Sequence, residues 1–210
     1  MKNLFIFLFI FQSISCCAQK FYDYDDTRRK NESFIRLPKT QIRNDLATFT
    51  LSGTDESVGK DELQKIPFTT FGSDSMNFEG SNIKASIKLV PFDKSKHKID
   101  YDEKYVIRID RKTYYGDYGE IPKTSIGSIL LTIDTDTIPI PPIAYQDIHN
   151  VNLTYTDNGT LKTRNGVYKS KDGHRTYFYI FCKNKTGSYE VTWIIQDKQY
   201  IRRVLDYGFM

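Results

Sequence analysis

Three runs near the carboxyl end decide the fold: Thr176-Tyr177-Phe178-Tyr179-Ile180-Phe181-Cys182, Tyr189-Glu190-Val191-Thr192-Trp193-Ile194-Ile195 and Tyr200-Ile201-Arg202-Arg203-Val204-Leu205. Each is rich in β-branched and aromatic residues, the mixture that fits a pleated surface. In the middle run Tyr189, Val191, Trp193 and Ile195 share one face of a strand, while Glu190, Thr192 and Ile194 share the other. Asn184-Lys185-Thr186-Gly187 separates the first two runs, and Asp197-Lys198 sits at the second reversal. Three sequential strands with short connections form an antiparallel meander.

Working outward, period-two patterning continues upstream. Ile83 to Val90 places Ala85, Ile87 and Leu89 on one face and Lys84, Ser86 and Lys88 on the other, a half-buried strand. Further strands are expected at Thr48–Leu51, Pro67–Phe71, Tyr105–Ile109 (with Tyr105, Ile107 and Ile109 inward) and Ile126–Ile133. Ile138 to Ile140 returns after a turn at Asp134–Asp136, but Pro139, Pro141 and Pro142 deny it a regular central ladder. Helical patterning is confined to Lys39–Leu46 and Glu56–Lys65. A meander cannot bury both faces by itself, so a second layer is required. The reading is mainly β: an antiparallel β-sandwich or rolled sheet with a C-terminal three-stranded meander and little helix. An α+β domain with one packed helix is the second choice. A division into two domains within Pro139–His149 has little behind it, since Ile143, Tyr145 and Ile148 can pack back.

The amino end carries an address. Lys2 precedes an unbroken apolar run from Leu4 to Phe11, and Cys16 and Ala18 are small residues suited to cleavage before Gln19. Residues 1–18 are therefore expected to be a signal peptide, residues 19–33 a flexible polar lead-in, and residues 34–210 a single β-rich domain. The apolar run is too short to stay in a bilayer as a helix, which takes about 20 residues. The protein is expected to be exported to the periplasm, the cell surface or the medium, and not to be an integral membrane protein. A lipid anchor on Cys16 or Cys17 fits less well: Cys16 has Ser13 three before it, and Cys17 has another Cys just before it.

Beyond that segment only Cys182 remains, so no intrachain disulfide can form and stability must come from packing. Its place in an alternating apolar run makes it a core thiol. The formal charge of +4 arises from 30 basic and 26 acidic residues intermixed along the chain, which argues against nucleic acid. The histidines, His97, His149 and His174, are far apart, with no metal-ligand spacing, so no metal and no cofactor are expected. There is no GxSxG and no phosphate-binding glycine loop. Four sequons, at Asn31, Asn152, Asn158 and Asn184, carry little weight in a chain this rich in asparagine.

Two loops have the composition of recognition surfaces. Tyr114-Tyr115-Gly116-Asp117-Tyr118-Gly119-Glu120 combines rigid amphipathic rings with carboxylates and flexible glycines. Tyr145-Gln146-Asp147-Ile148-His149-Asn150 follows a proline-stiffened turn. The candidate binding residues are Tyr114, Tyr115, Asp117, Tyr118, Glu120, Tyr145, Asp147 and His149, with no catalytic residue nominated. In the tail, Arg202 and Arg203 must face opposite ways, and one is expected to pair with Asp206 or Glu190.

The Phe-rich opening that ends Cys17-Ala18-Gln19 resembles the signals of exported proteins from Bacteroidota-type bacteria. Gly187 to Ile195 through Asp206-Tyr207-Gly208-Phe209, and Tyr115-Gly116-Asp117 through Ile121-Pro122-Lys123, are similar to segments of uncharacterised exported proteins of that group. The resemblance implies an envelope or extracellular location and no activity. The expected function is a non-catalytic envelope or secreted protein that binds another protein or a glycan, as a surface accessory or an inhibitor or immunity-like protein. The alternatives are a polysaccharide hydrolase, for which Asp117, Glu120 and Asp147 are the carboxylates to inspect, and a purely structural envelope component.

Overall fold

The carboxyl-terminal meander consists of β12 (Arg175–Asn184), β13 (Gly187–Gln196) and β14 (Gln199–Tyr207), paired antiparallel. Asp197 and Lys198 reverse the chain between the last two with φ of 49° and 60°. Two consecutive left-handed residues match a two-residue turn to the twist of its strands. Through β11 (Gly166–Lys169) the meander reaches β1 (Gln64–Ile66), completing a five-stranded sheet ordered β1-β11-β12-β13-β14. A computed structural model describes residues 33–56 and 61–208, and all structural statements refer to these. The expected signal peptide, the lead-in up to Glu32, both candidate lipidation cysteines and Phe209 lie outside them.

A second five-stranded sheet is ordered β2 (Phe68–Phe71), β3 (Ser75–Gly80), β4 (Ile83–Pro91), β7 (Thr124–Ile133) and β8 (Asp136–Thr137). Two small hairpins, β5 (Ile99–Asp102) with β6 (Tyr105–Ile109) and β9 (Tyr155–Asp157) with β10 (Thr160–Lys162), stand apart from both sheets. Phe178, Ile180, Val191, Trp193 and Ile195 from the first sheet share one buried core with Met76, Phe78, Ile87, Ile129 and Leu131 from the second. The Phe78 and Phe178 rings meet edge to face at 5.6 Å. The protein is thus mainly β, with two antiparallel sheets packed in a sandwich-like arrangement.

The first sheet is buried on both sides. Its other face is covered by residues 34–54, which include the single short helix α1 (Gln41–Leu46) and a 3-10 turn at Leu51–Gly53. Phe34, Leu37, Leu46 and Ala47 close a second core over Tyr177, Ile194 and Val204. Buried polar groups fix this cover in place. The Asp45 carboxylate accepts hydrogen bonds from Arg175 Nε at 2.8 Å and from the Tyr177 hydroxyl. The Glu190 carboxylate accepts the backbone N–H groups of Leu51 (2.8 Å) and Ser52 (3.0 Å), the Tyr179 hydroxyl (2.8 Å) and the Ser52 hydroxyl. A buried carboxylate is tolerable only with such a set of donors.

Several expectations are corrected. Thr48–Leu51 is not a strand: it carries the chain out of α1 into the 3-10 turn, with Thr50 bonding back to the Leu46 carbonyl by N–H and hydroxyl. Donors for Glu190 outweigh the local β propensity. In β6 the buried residues are Val106 and Ile109, whereas Tyr105 and Ile107 are exposed. The hairpin lies outside the sandwich and has an irregularity between Asp100 and Tyr101, so strict alternation has no flat core to follow. Of the expected helix Glu56–Lys65, residues 57–60 are outside the described set and Gln64 onwards is β1. The proline-rich return stops as a ladder at Thr137, and Ile140, Ala144 and Ile148 pack back into the main core. Cys182 is fully buried and free, and burial pushes its thiol pKa up to about 11.

Candidate functional site

The loop after β6 is held from within by one hydroxyl. Tyr114 Oη lies 3.3 Å from the carbonyl oxygens of Val106, Asp117 and Glu120, and accepts the Gly119 N–H at 3.2 Å. Its burial raises the phenol pKa. Gly119 has φ of 79° and its backbone passes so near Tyr105 that an added Cβ would sit 2.8 Å from that ring. No residue with a side chain fits there without displacing the tyrosine.

This loop is then strapped to its neighbours. The Tyr115 N–H donates to the Asp147 carbonyl and the His149 N–H to the Tyr115 carbonyl, both at 2.8 Å, so the two predicted recognition loops run side by side as a parallel bridge. The Asp117 carboxylate accepts the Lys185 N–H and Asn150 Nδ2, each at 3.0 Å. Tyr118 N–H donates to Thr186 Oγ1 at 2.8 Å, and Glu120 pairs with Lys185 at 3.7 Å. Through these contacts the loop is pinned to the turn between β12 and β13.

The second loop works mainly inward. Asp147 makes a bidentate pair with Arg203, at 2.7 and 2.9 Å, and the arginine is fully buried. The same guanidinium donates to the Ala144 carbonyl, which also accepts Trp193 Nε1. Arg203 therefore pairs with Asp147, whereas the expected partner of Arg202 or Arg203 is Asp206 or Glu190. Tyr145 packs against the main core, and burial raises its pKa. His149 is buried, with Nδ1 2.9 Å from Ser125 Oγ and its ring edge-on to Phe92. Burial pushes its pKa down to about 4, so the ring is uncharged at neutral pH.

Where the chain leaves β14, an open cleft of about 910 Å³ lies across the end of the first sheet. One wall is the Thr113–Tyr118 segment. The floor is the start of β13, including Ser188 and Tyr189. The opposite side is made by Leu205–Gly208 and by Ser33, Ile35 and Arg36 of the covering layer. Ile35, Tyr118 and Tyr207 are 74%, 66% and 64% exposed, the three most exposed large apolar or aromatic side chains among the described residues, and all three line this cleft.

One acidic group belongs to the cleft. Asp206 lies directly across the ladder from Glu190 and accepts the Phe34 N–H at 2.8 Å. Burial, with a smaller push from the Glu190 charge, raises its pKa. Ser188, on the floor, is 5% exposed, and its hydroxyl has no hydrogen-bond partner among the described residues.

The structure thus sorts the eight predicted residues. Tyr114, Tyr115 and Tyr118 line the cleft. Asp117, Glu120, Asp147 and His149 tie the surrounding loops together, and Tyr145 packs beneath them. Sequence reading missed Ile35, Ser188, Asp206 and Tyr207, which reach the cleft from three segments. The only sequence signal for them is an aromatic and a glycine, Tyr207-Gly208, just where the last strand ends. Among the described residues no helix is long and apolar enough to cross a membrane, and no three His, Cys, Asp or Glu side chains are grouped to hold a metal ion. Comparison with known protein families, curated proteins and solved structures gives no match.

Proposed function

We propose that this is an exported, non-catalytic binding protein of the envelope or extracellular space, and that it holds its partner, a protein or a glycan, in the tyrosine cleft. The observation that carries this reading is the convergence of Ile35, Tyr118 and Tyr207, the most exposed large apolar or aromatic side chains among the described residues, on one concave site. Exposed apolar groups scattered singly mean little, but their concentration in a recess marks an interaction site. Tyrosines that keep two torsions and one hydroxyl give contact area at low entropic cost. The loops behind the cleft are cross-tied, so the surface is formed before a partner arrives and little ordering is left for binding to offset. Export rests on the reading of residues 1–18.

A hydrolase reading has less support. Glycoside hydrolysis needs two carboxyl groups facing one bond. Asp147 is committed to Arg203, Asp117 to Lys185 and Asn150, and Glu120 faces Lys185. Glu190 and Asp206 are opposite one another, but Glu190 is saturated by four donors beneath the covering layer.

The test is affinity capture from envelope extracts by residues 19–210, set beside the double variant Tyr118→Ala, Tyr207→Ala. The expected result is a specific partner retained by the parent and lost by the variant, with the thermal midpoint unchanged. Equal retention by both proteins would contradict the cleft as the binding site.

A further inference from the structure

We infer that the ligand of the cleft is a neutral oligosaccharide, stacked on the rings of Tyr118 and Tyr207 and bonded at its hydroxyls by Asp206 and the hydroxyl and backbone groups of the lining. The inference rests on the binding role proposed above and goes further by naming the chemical class bound.

Three features separate this class from a peptide segment or a charged ligand. The first is charge. The lining contains a single carboxylate, Asp206, and a single guanidinium, Arg36, so the cleft offers no net attraction to an ion of either sign. Recognition of a charged chain uses a surplus of the opposite sign. The second is the polar lining. Apart from that pair, it consists of hydroxyls and backbone: Thr113, Thr186, Ser188 and tyrosine side chains, with Gly116, Gly187 and Gly208 bringing main chain to the surface. A hydroxyl both donates and accepts and can turn to suit, which matches a ligand whose own polar groups are hydroxyls. Asp206 is engaged by the Phe34 N–H and by the Ser52 side chain, and a carboxylate has about four acceptor sites.

The third feature is shape. A pyranose ring has hydroxyls at its edge and a C–H surface on its face, and it needs a flat apolar platform beside hydrogen-bonding groups. Tyr118, in the loop after β6, and Tyr207, at the end of β14, both line one open cleft and are both more than half exposed, so each can serve as such a platform. The volume of about 910 Å³ is at the upper end of small-ligand sites and admits several sugar units in line, while a folded partner would need a broader face.

Titration calorimetry of residues 19–210 with short, linear, neutral oligosaccharides of glucose, mannose, xylose and N-acetylglucosamine, beside uronic acid and sulfated oligosaccharides, tests this. The expected result is saturable binding of at least one neutral series. It should weaken about tenfold in either Tyr118→Ala or Tyr207→Ala, the loss of roughly one stacking contact, and be unmoved in Tyr101→Ala, an exposed tyrosine on the β5–β6 hairpin. Thermal midpoints of all variants verify folding. Preference for the charged series, or neutral binding indifferent to both cleft tyrosines, would overturn the inference. If no oligosaccharide binds but a captured protein still depends on Tyr118 and Tyr207, the ligand class is wrong and the binding role survives. If neither is seen, both fall.

Discussion

The two five-stranded sheets bury their residues by different rules. In β4 burial alternates: Ile83, Ala85, Ile87 and Leu89 face the core, while Lys84 and Lys88 are exposed and Ser86 is half-buried. In β12 eight consecutive residues from Arg175 to Cys182 are buried. The second sheet has one partner layer and solvent on its other side. The first lies between that sheet and residues 34–54. A sheet covered twice must find partners for whatever polar groups lie on its second face, and here Asp45 and Glu190 do this for Arg175, Tyr177 and Tyr179. The covering layer is consequently bonded to its sheet through charged acceptors as well as apolar contact, and it brings Ile35 to the rim of the cleft as a fixed wall.

This contrast can be broken or sharpened by substitution. The largest effect belongs to the core that both sheets share. Trp193→Ala removes a fully buried indole and its bond to Ala144, and should cost about 3–5 kcal/mol in urea unfolding. Next comes the proton sensitivity of His149, where β7 meets the cross-tied loops. Its pKa is depressed to about 4 from an ordinary 6.5, so its contribution is fully present above pH 6.5, declines as the pH falls towards 4, and is flat below. The loss amounts to about 3 kcal/mol and should vanish in His149→Phe when the two proteins are unfolded at several pH values. Asp206 has the opposite sign. Its folded pKa is raised, so acidification through the carboxylate range favours the fold, and Asp206→Asn should remove that gain.

The covering layer is addressed by Glu190→Ala, which strands the N–H groups of Leu51 and Ser52 and the Tyr179 hydroxyl. A loss of about 2–3 kcal/mol is expected, with limited proteolysis cutting first within residues 34–54. At the bottom of the scale, Lys84→Ala on the open face of the second sheet should change stability by no more than about 0.5 kcal/mol, since its only ion pair, to Glu79, is exposed. A large loss there would mean that the second sheet also has a cover.

The same contrast explains what was legible in the sequence. Alternation in Ile83–Val90 and in Tyr189–Ile195 gave strand, face and core directly, because the inner faces answer to one apolar partner. The covering layer was legible only as a short helix. Thr48–Leu51 has the composition of a strand, and what makes it a turn is Glu190, about 140 residues away and invisible to any local pattern. The cleft divides similarly. Tyr114 to Tyr118 stood out because aromatics and glycines cluster in one loop. Tyr207 and Ile35 did not, since the bond between Phe34 and Asp206 that sets the far wall spans 172 positions. The carboxylates that looked most suited to chemistry, Asp117 and Asp147, are tied up in holding loops together, a role composition cannot distinguish from recognition.

Amide hydrogen exchange at Leu51 and Ser52 probes the central claim most directly, that residues 34–54 are an integral layer of the fold. Their N–H groups end on the buried Glu190 carboxylate, and they should exchange as slowly as amides in the middle of β13, through global unfolding. Exchange as fast as in the exposed β9–β10 hairpin would show that the layer lifts away on its own, and the cleft would lose its fixed wall.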